Sequence, residues 1–328
     1  MSTFELYRFS PDYLREAMHS RLAWSVKLLL DAWPSEEWNQ YVEQDGERFF
    51  HRMKLGCVDG CDFVLHNCLL QLLLADQFVE ARYLLSEASR RSPKLDPAIF
   101  AYGSKDLAAD SEWYKRVFEW NDLEAERLCL CSPQLHDVER CVAWMSQVVD
   151  LLRQCSPKVY AEFQSFRPLW LIMAFETPSE LHFMGYSSSL AWGTIGLNVD
   201  FKSWPDFLVQ VIHELAHQLL FALALEVPLV FNAPDERYHS PLRIDRRPMD
   251  GVLHACFVSA RSFEVLNQIK ISSEFSKLET RDQALIVNHG QRCLQAALAA
   301  LPTIKRGAQL SALGERVVQA IDDAIVAP

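Results

Sequence analysis

The chain has 328 residues, 50% of them hydrophobic and 23% charged, an ordinary globular composition with material for a sizeable core in one or two domains. Its 43 acidic residues outnumber 32 basic ones, and a net charge of -11 without a compact basic run argues against a nucleic-acid partner. The start, MSTFELYRFSPDYL, lacks the basic stretch followed by an apolar one that marks a signal peptide, and no uncharged apolar run approaches the roughly 20 residues of a membrane span. Nine cysteines scattered along the chain, none in a CxxC pair, suit free thiols. A cytoplasmic protein that does not engage membranes is expected.

Residues 1–165 are expected to form a helical scaffold that doubles as a peptide-binding region. Ser10-Pro11-Asp12 is a helix start, with proline at the first helical position and an acid in the first turn. Leu14, Met18, Leu22, Val26 and Leu29 then recur at helical spacing. Further helices are predicted over about 60–75, 77–91, 112–128 and 136–154.

Residues 166–328 are expected to form a metal-binding catalytic region. PLWLIMAF (168–175), ELHFMG (180–185) and SLAWGTIGLNV (189–199) are short, aromatic and β-branched, and predict strands. A helix over 205–225 opens with Trp204-Pro205-Asp206, and an irregular loop with four prolines covers 227–249. Helices follow at about 250–271 and 281–301, and a last one ends the chain. The expected fold is α+β and mainly helical, with a zincin-like small sheet beside the helix that carries the motif VIHELAHQLL.

That motif places His213 and His217 one turn apart on one helix face, where two imidazoles can share an ion. Glu214 points about 100° away and suits a bracing or base role. A third ligand is expected downstream, and Glu226, Glu236, His239, His254 and Glu264 are the candidates. Glu226 is too close on the same helix. His239 sits among polar loop residues. His254, early on the next helix in DGVLHACFV, is favoured, with Glu264 as the acid a zinc peptidase of the gluzincin type would use.

Three further segments extend the pattern: Tyr238-His239-Ser240-Pro241-Leu242-Arg243, Asp245-Arg246-Arg247-Pro248-Met249-Asp250-Gly251, and Val252-Leu253-His254. Together with HELAH they resemble the HExxH-motif proteins of peptide natural-product (RiPP) biosynthesis, some of which are iron- and 2-oxoglutarate-dependent peptide β-hydroxylases. Leu242 departs from that pattern, where a tryptophan is usual. The resemblance spans roughly residues 165–270 and implies His213, His217 and His254 as ligands of Fe(II), with 2-oxoglutarate chelating the metal. Such chemistry needs open metal positions and a cation for the distal carboxylate of 2-oxoglutarate, and Arg243 and Arg247 are the candidates. The implied reaction is hydroxylation at Cβ of a residue in a peptide, with or without a leader or carrier.

Two other functions compete. In a zinc metallopeptidase Glu214 would be the general base that activates a metal-bound water. In a non-catalytic binding protein the helical half would grip a peptide and the HExxH helix would only fill the core.

Overall fold

The computed structural model describes residues 10–104, 113–117, 130–176, 183–240 and 245–326. Arg243, most of the helix predicted over 112–128, and the first half of the strand predicted at 180–185 lie outside the described residues. The chain forms two compact units, one from Asp12–Cys141 with Gln164–Asp200, the other from Val142–Phe163 with Phe201 onward. This partition does not follow a single cut near residue 165: the sheet belongs with the N-terminal helices, and the HExxH helix with the C-terminal ones.

The first unit opens with α1 (Pro11–Asp31), which starts at the expected proline and buries Leu14, Met18, Leu22 and Val26 in the predicted rhythm. Helices α2 (Gln40–Lys54), α3 (Gly60–Leu74) and α4 (Phe78–Arg90) follow. Asp59 caps α3 in a reciprocal box with Asp62. Arg52 grips Asp62 through two hydrogen bonds of 2.6 and 2.9 Å, and Arg91 holds Asp59 at 2.8 Å. These buried carboxylates are therefore paired, as burial of charge demands.

The N-terminal half is not purely helical, which corrects the sequence expectation. Strands β1 (Ala98–Ala101) and β2 (Leu130–Cys131) join β3 (Leu169–Phe175), β4 (Gly185–Ser187) and β5 (Thr194–Asn198) in a mixed sheet of order β1-β3-β5-β4, with β2 pairing β3. β1, β3 and β5 run parallel, and β4 is antiparallel to β5. LWLIMAF is nearly continuous apolar sequence because β3 lies between parallel partners and is buried almost throughout. The predicted strand at 189–199 begins only at Thr194; Ser189–Ala191 is a 3-10 turn that swings Trp192 inward. The Trp192 ring meets Phe63 and Phe166 edge-on at 5.4 and 5.5 Å.

Gly193, at φ +80°, passes so close to Gly60 that a Cβ on Gly60 would lie 2.2 Å from the Gly193 carbonyl oxygen. Both sides of that contact are backbone, so neither yields without shifting α3 or β5. Gly60→Ala is expected to cost about 1–3 kcal/mol, the usual range for overpacking, as a lowered urea midpoint.

The second unit is helical. It contains the end of α5 (Leu135–Cys155), most of α6 (Pro157–Phe166), then α7 (Trp204–Leu223), α8 (Met249–Ile271), α9 (Thr280–Gly307) and α10 (Ala312–Val326). α8 is the hub, packing on α7, α9 and α10. Its Arg261 forms a hydrogen-bonded ion pair with Glu162 of α6, with only 3% and 1% of the two side chains exposed. The fold is α+β and mainly helical, and no described helix is long and apolar enough to cross a membrane. No disulfide joins the described cysteines.

Candidate metal centre

Local sequence sets α7 firmly. Ser203 caps it by accepting from the Asp206 amide, and Pro205 fits the first turn, where no intrahelical donor is needed. Asp206 also accepts from His289 at 2.8 Å, and the Trp204 indole donates to Asp282 at 2.7 Å, so the start of α7 is fastened to α9. The rest of α7 is so apolar that Val211, Ile212, Leu215, Ala216 and Leu219 bury almost completely. The two motif histidines stand mid-helix as half-buried polar groups among them.

His213 and His217 bring their Nε2 atoms to 3.2 Å. Two nitrogens at about 2.0–2.1 Å on neighbouring positions of one ion lie roughly 3.0–3.4 Å apart, so the pair fits a divalent metal as it stands. His254 comes from the facing helix α8. Its Nδ1 is 3.5 Å from Nδ1 of His217, and its ring stacks on that of His217 at 5.7 Å. Phe221, one turn beyond His217, also touches the His254 ring at 5.3 Å. In this conformation His254 faces Nδ1 of His217, while Nε2 of the same ring faces His213. Among the described residues no three His, Cys, Asp or Glu side chains converge as a ready-made metal site. The donors fit two ligand positions directly, and His254 as placed does not complete a third.

Burial holds all three imidazoles in the neutral form that ligates metal. It lowers the pKa of His213 to about 4. His217 is pushed further down, by burial first and then by the charged forms of His213 and His254. Burial also lowers His254, against an opposing pull from the Asp250 carboxylate.

The other candidates fall elsewhere. Glu226, Glu236 and His239 are exposed. Glu264 lies ten residues past His254, about 15 Å further along α8, and accepts from Gln268 at 3.4 Å. Glu214 is 2% exposed and accepts from Gln210 at 2.6 Å. The segments that carry the family resemblance meet each other: Tyr238 and Arg247 exchange two backbone hydrogen bonds of 2.8 and 2.9 Å, one residue before Pro248 caps α8. The Arg247 side chain is 40% exposed, its guanidinium 3.7 Å from Asp245.

Two residues near the histidines were given no role there by the sequence reading. Asp250 lies one turn before His254 and places Oδ2 3.7 Å from its Nε2, and Phe221 lies one turn after His217. In both cases the i,i+4 spacing was the available signal. Metal-bound imidazoles are commonly oriented through their second nitrogen, which gives Asp250 a place in such a site. The chain matches no protein-family model, and no curated protein matches it in sequence.

Proposed function

We propose that the chain is an Fe(II)- and 2-oxoglutarate-dependent hydroxylase of a peptide or peptidyl substrate, acting at the side-chain carbon Cβ, in peptide natural-product maturation. The observation that carries this reading is the histidine arrangement: a neutral pair at metal-ligand separation on α7, with His254 packed against it from α8. Iron with 2-oxoglutarate and dioxygen would supply the oxidant that places one oxygen atom in a C–H bond. The chain's part is to hold and orient. His213, His217 and His254 would hold the metal and leave its other positions open. Arg247, only loosely engaged by Asp245, and Arg243 are the cations offered to the distal carboxylate of 2-oxoglutarate.

Glu214 supports this reading over peptide hydrolysis. Its carboxylate is bonded to Gln210 and buried in the helix interior, which suits a brace better than a base working on water at the metal. Oxidative hydroxylation does not require such a base.

The deciding experiment needs no substrate. Protein stripped of metal is given Fe(II) anaerobically, then 2-oxoglutarate, and its visible spectrum is recorded. A weak charge-transfer band that needs both additions and vanishes in His254→Ala is the expected result. If no band appears and the isolated protein carries one tight zinc, the zinc metallopeptidase replaces the hydroxylase. Fe(II) should also stabilise the fold, by about 2.7 kcal/mol at a hundredfold excess over Kd, and His213→Ala should abolish that gain.

A further inference from the structure

A cleft of about 710 Å³ opens within the unit that carries the sheet, inside the size range of ligand sites. One wall is α1, which turns Arg15, His19, Ala23 and Lys27 toward it at one-turn intervals. From Arg15 to Lys27 the helix rises about 18 Å, so the cleft is elongated and matches about five residues of extended chain. Across from α1 stand Phe50 and Lys54 of α2 and the turn through Gly56. Phe63, Phe166 and Trp192 are almost fully buried behind it, while half-buried Phe50 and Trp24, 55% exposed under the Arg21 guanidinium, are the accessible rings.

The charge of this cleft opposes that of the whole chain. Five cations line it, Arg15, Lys27, Lys54, Lys94 and Arg167, against Glu16 and Asp59. Asp59 is already engaged, accepting from the Cys61 and Lys94 amides and from Arg91. Lys27 is matched by Asp31 at 2.5 Å, and Arg15 lies 3.9 Å from Asp12. Arg167 donates to the Leu95 carbonyl, and among the described residues Lys54, Lys94 and Arg167 form no ion pair. Arg15 and Lys27 share α1, and Lys54, Lys94 and Arg167 come from three further segments, an arrangement suited to several carboxylates rather than to one focused anion.

We propose that this cleft binds an extended acidic segment of the peptide substrate, with carboxylates on Lys54, Lys94 and Arg167 and apolar side chains against Trp24 and Phe50. The proposal rests on the hydroxylase reading only for the source of that segment. Its carboxylates complement the unmatched cations, and its apolar side chains the rings.

The test uses full-length, metal-free protein and fluorescein-labelled hexapeptides in which Asp or Glu alternates with Phe, Leu or Tyr in every order. The same peptides with Lys in place of each acid serve as controls, and anisotropy reports binding. Acidic members are expected to bind saturably, one per chain, and to weaken with added salt. Lys54→Glu combined with Lys94→Glu should weaken them roughly tenfold or more, while Lys270→Glu on the other unit leaves them unchanged. Both cleft lysines are exposed, and a Lys54→Ala, Lys94→Ala pair provides a second, milder variant whose melting temperature checks the fold. Absence of acidic binders, equal binding of the lysine peptides, or binding indifferent to both variants overturns the proposal. Acidic binding without the iron–2-oxoglutarate band would keep the cleft and remove the hydroxylase, and the reverse pattern would remove the cleft alone.

Discussion

Arg261→Met is expected to destabilise the helical unit by about 3–5 kcal/mol, the usual cost of removing one partner from a buried ion pair. The carboxylate of Glu162 would remain with 1% of its side chain exposed and without its guanidinium. Glu162→Leu should cost a similar amount from the opposite side. The double variant is the informative one, because well-packed apolar residues often replace a buried pair with little loss. Urea unfolding of the four proteins measures the coupling directly, and additive losses would show that the two side chains do not act as a pair. The effect should reach the candidate metal centre. Arg261 lies two turns past His254, about 10.5 Å along α8, so loosening the helix at the pair should be felt at that histidine. Single variants that still fold should therefore bind Fe(II) more weakly than the double variant.

Acid should unfold the metal-free protein well above pH 4. Burial lowers His66 and His213 to about 4, and burial aided by Arg15 lowers His19 to the same value. In the unfolded chain these imidazoles titrate near the ordinary value of about 6.5. Between about pH 6.5 and 4 the unfolded state therefore binds protons that the folded state refuses, and stability falls as pH falls. At 1.36 kcal/mol per unit, each site contributes a loss of roughly 3 kcal/mol by pH 4, and three such sites rival the whole stability of an ordinary domain. Asp59 works the other way, because burial and then Asp62 raise its pKa and favour the folded state in acid. His66 gives the cleanest check, being 7% exposed with its Nε2 2.8 Å from the Ser25 hydroxyl. His66→Gln should flatten the stability profile between pH 6.5 and 4, measured as urea midpoints across that range. An unchanged slope would mean that His66 protonates in place.

Helices whose signals are local were legible in the sequence. Ser10-Pro11-Asp12 and Ser203-Trp204-Pro205-Asp206 mark the starts of α1 and α7 because caps, prolines and first-turn acids act within four residues. β3 was legible because a strand with parallel neighbours is apolar nearly end to end. β1 was not: Ala98–Ala101 is four residues long and becomes a strand by pairing with Leu169–Ile172, far along the chain. The Ser189–Ala191 turn was read as strand because its aromatic neighbour suits a strand equally well; the tight packing of Gly193 on Gly60 decides otherwise. At the candidate metal centre, spacing alone brings His213 and His217 together. The rotamer of His254 is set by Phe221 and Asp250, contacts between and along helices that no five-residue motif records.

The backbone pairing of Tyr238 with Arg247 has a mechanical consequence. Asn232 ties the same segment to Tyr238 and to the Gly307 carbonyl, and the Phe231 amide donates to Gln309, so the base of the loop is clamped to the end of α9. The closed pair anchors the start of α8, and with it the backbone of His254, to the end of α9, so the position of that histidine depends on contacts made upstream of its own helix.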